Sequence, residues 1–367
     1  MYTQSPDSKN VKGIKLEILI DEENLTESEF FIRELGAELR LIDPNKQVDF
    51  SETMQIWIAS TRPNNWKRLI DESPKNFINF FFLGNELYKV DELKYLSEST
   101  SIRTIFLYSP RINPSIGNLL SALIGATLDS GLKNVADLRT YIRNFRTGVE
   151  VCRRLNHNSK LYKNVIQIPQ GYSSSFVAQL MNEYPNFSPK QSIIDSVPKI
   201  DSTRKLETRT YDFSFVGQSG NLRRQRFLEV AANFPNSESI IIIRKGFGGN
   251  KKNVDDLYLK SSLESRFVLV PPGVFNNYNH RYCESLILGR LPIVVCNNQT
   301  DPNSTYYWVK NYSFLFRNSV KHILKRVIAM SDDKIAQIID ASRQVEFGKI
   351  LEFRRKVQEL ESGAETA

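Results

Sequence analysis

Cysteine and histidine are both scarce, at three each in 367 residues. Cys152, Cys283 and Cys296 are too far apart to form a disulfide framework or a zinc-ligand pattern, so the reducing cytoplasm is the expected compartment. His157 sits in the polar turn NHNSK with no partner nearby in sequence, which reads as a solvated loop residue rather than a catalytic base. No apolar run approaches the ~18 residues of a membrane span, and Asn118–Leu128 (NLLSALIGATL) reads as a short buried helix. The opening MYTQSPDSKNVKG lacks an apolar core segment, so no secretory signal is expected. Internal repeats, low-complexity tracts, a P-loop signature and a full Rossmann glycine fingerprint are all missing.

Charge of one sign is in modest excess. The net charge of +8 suits an acidic ligand or an anionic membrane surface. A nucleic-acid binder would show a dense basic stripe interleaved with aromatics. Here the basic residues are spread out, with only short clusters such as Arg223-Arg224 and Arg354-Arg355-Lys356, so no nucleic-acid partner is expected.

What is present is an alternation of short apolar runs with helix-length segments. Runs near 15–20, 38–42, 55–59, 77–83, 103–108 and 164–168 read as buried strands, and a helix fits 27–35. That pattern predicts an open α/β sheet with right-handed crossovers. At 367 residues two domains are the natural expectation. We place a first domain at 1–172, a Ser/Asn/Pro/Lys-rich linker without firm periodicity at 173–205, a second domain at 206–345 and a final helix at 346–367. In the second half, strands fit 211–217, 239–243, 267–270, 291–295 and 314–316. Helices fit 221–232, 255–263, 281–288, 320–330, 333–342 and 346–361.

The stretch RFVLVPPGVFNNYNHRYCESLILGRLPIVV, Arg266 to Val295, organises the rest. It reads as strand, polar loop, helix and strand, with Gly289 just past the helix and Pro292 beyond it. Cys283, Leu286 and Ile287 share one apolar face, while Arg281 and Glu284 lie three apart on another, near the helix N-terminus. A helix N-terminus favours a phosphate, Arg281 would add a bidentate donor, and Glu284 could accept from sugar hydroxyls. The plain alternative is an i,i+3 surface ion pair.

The pattern of Phe267, Leu269, Pro271 and Gly273, then Arg281, Glu284, Ser285 and Leu286, then Gly289, Pro292, Ile293 and Val294 resembles the C-terminal half of exostosin-like glycosyltransferases. It resembles other GT-B enzymes more loosely. Ser285 stands where the family usually has Ala, and the resemblance covers residues 211–320 far better than the N-terminal half. It implies an α/β protein of GT-B architecture: two Rossmann-like domains facing a cleft, with the last helix crossing back to the first. It further implies transfer of a sugar from a nucleotide-sugar donor to a glycan or lipid-linked acceptor hydroxyl, inverting and metal-independent. A UDP-sugar is expected ahead of a GDP-sugar, and no separate cofactor. The roles implied are Glu284 on the ribose and Arg281 near the diphosphate. The lack of a DxD-type pair speaks against a metal-dependent GT-A enzyme. The lack of a membrane anchor points to a bacterial-type cytoplasmic member, with peripheral contact at the inner face of the membrane.

Other candidates join these. A strand ending at Gly217 followed by a helix bearing Arg223, Arg224 and Arg226 has the layout of a phosphate cradle, although a solvated first turn would look the same. Lys245, at the head of the GFGGN loop, and Pro272 with Gly273 complete the expected donor-binding set. Glu86, after the FFFLGN run, is the expected catalytic base, with Arg281 as the catalytic cation. Asp21, Glu22 and Glu23, after the first strand, compete for the role of base. Two alternatives stay open: a nucleotide-sugar epimerase or hydrolase on the same scaffold, and a catalytically inactive binding module.

Overall fold

The structure, a computed structural model, describes residues 16–22, 28–43, 55–83, 90–107, 164–169, 171–185, 191–203, 209–217, 222–244, 257–271, 280–294 and 317–362. Six strands form the first sheet: β1 (Glu17–Ile20), β2 (Glu38–Leu41), β3 (Ile56–Ser60), β4 (Ile78–Phe82), β5 (Ile102–Leu107) and β6 (Asn164–Gln167). Their order is β2-β1-β3-β4-β5-β6 and every pairing is parallel. The helices α1 (Ser28–Leu35), α2 (Lys67–Glu72) and α3 (Val90–Glu98) alternate with these strands. All residues of β3 and β4 are buried, because helices cover both faces of a parallel sheet.

Next come α4 (Ser174–Glu183) and α5 (Ile193–Thr203), which occupy much of the stretch that reads as an unpatterned linker. Their periodicity is hidden because they bury short segments, such as Phe176, Val177 and Leu180, and Ile193, Val197 and Ile200, against the first sheet's helices. The second sheet contains β7 (Tyr211–Gly217), β8 (Ser239–Ile243), β9 (Ser265–Val270) and β10 (Leu291–Val294), again all parallel, in the order β10-β9-β7-β8. With it go α6 (Leu222–Ala232), α7 (Leu257–Leu263), α8 (His280–Ile287) and α9 (Arg317–Ile328).

The chain closes on α10 (Asp332–Glu361), one continuous 30-residue helix where the sequence suggests two. Buried positions 335, 339, 342, 346, 350, 353, 357 and 360 follow one another at steps of three and four with no interruption, so one stripe runs its whole length. Ile335 and Ile339 belong to the core of the second sheet, whereas Ile350, Phe353, Val357 and Leu360 belong to that of the first. The last helix therefore returns to the first unit, completing the two-sheet α/β arrangement expected of a GT-B protein. Each of those four side chains is at most 2% exposed, and such burial contributes about 1.5–3 kcal/mol per residue before entropy is set against it.

A polar knot fixes the return. Glu34 on α1 is buried and accepts from the Tyr172 hydroxyl (2.5 Å), the Ser192 hydroxyl (2.9 Å) and the backbone N–H of Ile193 (3.1 Å) at the start of α5. Arg354 of α10 donates to Glu34 and, at 3.1 Å, to Asp195. Burial pulls Arg354 down to about 10, which still leaves it charged at neutral pH. Burial likewise raises the Tyr172 phenol well above its ordinary value, so it stays a donor.

In an open parallel sheet, ligands gather at the carboxyl ends of two neighbouring strands whose connections leave in opposite directions. In the first sheet that place lies between β1 and β3, since β1 connects to β2 on one side and β3 to β4 on the other. In the second it lies between β7 and β9.

Candidate functional site

The switch point of the second sheet brings together residues from four elements. β7 ends at Gly217, and α8 begins at His280 beyond the end of β9. The side chain of Arg281, on the first turn of α8, reaches across to β7. Its guanidinium carbon stands 4.8 Å from the centre of the Phe215 ring and 5.0 Å from that of Tyr258 on α7, so the cation is held between two aromatic faces. Gly217 makes room for it. A Cβ there would lie 2.5 Å from Arg281 Nη2, closer than side-chain atoms tolerate. Arg224, on the first turn of α6, is near enough that burial first, and the positive charge of Arg281 second, lower its pKa. Two guanidiniums are thus concentrated beside a helix N-terminus, a combination that attracts a polyanion.

Glu284 lies one turn along α8 and is 2% exposed. Its Oε1 accepts from the backbone N–H of Ser173 at 3.0 Å and from the Ser173 hydroxyl at 2.7 Å. Ser173 is also the N-cap of α4, accepting from Phe176 N–H. The Tyr258 hydroxyl is buried and lies beside Glu284 and Ser285. Burial, reinforced by the Glu284 charge, raises its pKa well above the ordinary value. Burial, followed by the charges of Glu346 and Glu284, does the same to the Cys283 thiol on the opposite side of α8, which keeps it protonated.

The sequence of α8 accounts for this placement. Cys283, Leu286 and Ile287 are fully buried, which turns Arg281 towards β7. Ser285, the departure from the expected Ala, is buried and gives its hydroxyl proton to the Arg281 carbonyl one turn back, so the polar atom is satisfied without outside help. Gly289, at φ +59°, ends the helix as the sequence suggests. Its N–H bonds to Leu286 O (2.9 Å) and that of Arg290 to Ser285 O (2.8 Å), the paired bonds of a Schellman cap. From α10, Arg343 donates to the Leu286 carbonyl at 2.8 Å, tying the last helix to the site helix.

Of the residues expected from sequence, Gly217, Arg281 and Glu284 are brought together here. Arg223 and Arg226 lie on α6, with side chains outside the described residues. Glu86, Lys245, Pro272 and Gly273 also lie outside them. Sequence reasoning missed Phe215, Tyr258 and Ser173 as partners of the site. No spacing links them to α8, since Ser173 is 111 positions from Glu284.

No protein-family model matches the sequence, and no curated protein matches it. Among solved structures, the chain is similar to T4 phage BGT in complex with its UDP-glucose substrate, at 10% identity, 95% of this chain and 99% of that one covered, and a TM-score of 0.38. It is similar to HepE from Anabaena in complex with UDP, at 10% identity, 95% and 100% coverage and a TM-score of 0.37. A third is the UDP-GlcNAc 2-epimerase from Neisseria meningitidis bound to UDP-GlcNAc, at 9% identity, 92% and 100% coverage and a TM-score of 0.34.

Proposed function

We propose that this chain is a glycosyltransferase of the exostosin-like type. It takes a sugar from a nucleoside-diphosphate donor, a UDP-sugar ahead of a GDP-sugar, and passes it to a hydroxyl of a glycan or lipid-linked saccharide. The observation that carries this reading is Arg281 clamped between Phe215 and Tyr258 against Gly217, at the switch point of the second sheet. A guanidinium pre-oriented in this way, with Arg224 beside it, suits a diphosphate, because it meets the charge that develops as the leaving group departs. Glu284, one turn on, suits the hydroxyls of a ribose next to that diphosphate. The motif around α8 supports the same assignment.

The acceptor reading fits a further feature. Lys321, His322, Lys325 and Arg326 are all exposed on α9, which has no acidic residue, and that face supports contact with an anionic membrane carrying a lipid-linked acceptor. Among the described residues, no helix is long and apolar enough to cross a membrane.

The experiment is calorimetric titration of UDP and GDP into the wild type and Glu284→Ala. Binding of UDP that weakens by about 1–3 kcal/mol in the variant supports the donor site, that being the worth of a hydrogen bond to a charged group. If neither nucleotide binds, the transferase reading fails.

A further inference from the structure

The switch point of the first sheet contains a pair of residues that the donor site leaves unused. Asp21 directly follows β1 and Ser60 closes β3. The register pairs Ile20 with Ala59, so the next residue on each strand is Asp21 and Ser60, side by side at the carboxyl edge. Both are buried, Asp21 at 6% exposure and Ser60 at 0%. The Ser60 hydroxyl donates to Asp21 Oδ2 at 2.7 Å. The backbone N–H of Arg62 donates to the same hydroxyl oxygen at 2.9 Å, which commits the Ser60 proton to the carboxylate.

Withdrawing a carboxylate from water costs several kcal/mol, and the Ser60 hydroxyl is one of the contacts that offset it. The buried Glu34 in the same unit joins α1, α5 and α10 through its bonds. The Asp21–Ser60 bond instead joins two strands that the sheet already holds together. The location points to function, since the crevice between β1 and β3 is where a doubly wound sheet binds its ligand. The equivalent crevice of the second sheet holds Arg281. Segments that follow strands of the two sheets also touch, for Ser173, beyond β6, bonds to Glu284 on α8.

We infer that Asp21, oriented by Ser60, is the general base that activates the acceptor hydroxyl. This rests on the transferase reading above. In the step, Asp21 takes the hydroxyl proton, and the acceptor oxygen forms its bond to the anomeric carbon. The bond from that carbon to the diphosphate oxygen breaks, and its electron pair leaves on the nucleoside diphosphate beside Arg281. Ser60 is a positioning residue, holding the carboxylate in one rotamer.

The test uses the full chain and two readouts: UDP affinity by calorimetry, and UDP release from UDP-glucose, UDP-galactose and UDP-N-acetylglucosamine, with water alone and with octyl glucoside as a surrogate acceptor. Asp21→Asn keeps the shape and is expected to bind UDP as the wild type does while releasing it about 100-fold more slowly or worse. Ser60→Ala is expected to lower kcat with KM for the donor unchanged, and Ser60→Thr, which keeps the hydroxyl, to restore it. Should Asp21→Asn melt early, the Ser60 pair still decides the matter. Wild-type release by Asp21→Asn overturns the assignment, as does Ser60→Ala with unchanged kcat. A wild type that binds UDP but turns over no donor also overturns it, leaving the nucleotide site intact. A wild type that binds no UDP defeats the donor site itself, a separate failure.

Discussion

Glu284 Oε1 holds both the N–H and the hydroxyl of Ser173, at 3.0 and 2.7 Å, so one carboxylate of the second unit grips the N-cap residue of the first helix after the last strand of the first unit. The same carboxylate is the candidate for the donor ribose. Ser173→Ala removes one of the two bonds and leaves Glu284 in place. Urea unfolding should show a loss of about 1–3 kcal/mol, with UDP affinity retained. Glu284→Ala should lower both stability and affinity. Equal loss of UDP binding in the two variants would show that Glu284 serves the nucleotide only through its bonds to Ser173.

A side chain at Gly217 would take the space that the Arg281 guanidinium occupies. In Gly217→Ala the new Cβ meets Arg281 Nη2 at 2.5 Å and must push the guanidinium out from between its aromatic walls. The expected cost is that of a displaced charge-assisted hydrogen bond, about ten- to a hundred-fold in UDP affinity. Calorimetry reads this directly, and unchanged affinity would mean that Arg281 does not touch the donor.

Tyr258 separates packing from hydrogen bonding. Tyr258→Phe keeps the ring and removes only the hydroxyl beside Glu284 and Ser285, so it should leave the Arg281 sandwich intact. Tyr258→Ala removes one wall of the Arg281 sandwich and about 0.5–2 kcal/mol of cation–π attraction. It should weaken UDP binding where Tyr258→Phe does not. Similar affinities for the two variants would rule out the ring as the support.

The knot at Glu34 should behave as a unit. Breaking a buried ion pair from one side leaves the other charge stranded, at about 3–5 kcal/mol. Glu34→Gln and Arg354→Met should each approach that loss in urea unfolding, and the double variant should cost clearly less than the two losses added together. Strict additivity would show that the pair is not coupled.

The exposed basic face of α9 predicts salt-sensitive binding to vesicles containing phosphatidylglycerol and none to pure phosphatidylcholine. Lys321→Glu with Lys325→Glu should abolish sedimentation with the anionic vesicles at an attraction of about 1 kcal/mol per basic residue. Unchanged sedimentation would remove α9 as the contact.

Much of this protein was legible in its amino-acid order. Buried parallel strands are short unbroken apolar runs, and Ile56–Ser60, Ile78–Phe82 and Ser239–Ile243 lie within a residue or two of where the runs place them. The α8 unit was readable because helix face, Gly289 cap and following strand are all local signals. The stretch 173–203 was not, because its two helices take their stability from surfaces elsewhere in the chain. Local order therefore determined the parallel α/β class, the element that carries Arg281 and Glu284, and the apolar stripe of the last helix. Tertiary structure alone decided that Phe215 and Tyr258 enclose Arg281, that Ser173 meets Glu284, and that Asp21 and Ser60 share one crevice. Such contacts arise from strand order and from crossings between distant segments, and the periodicity of a single chain segment contains no record of which other segment it will meet.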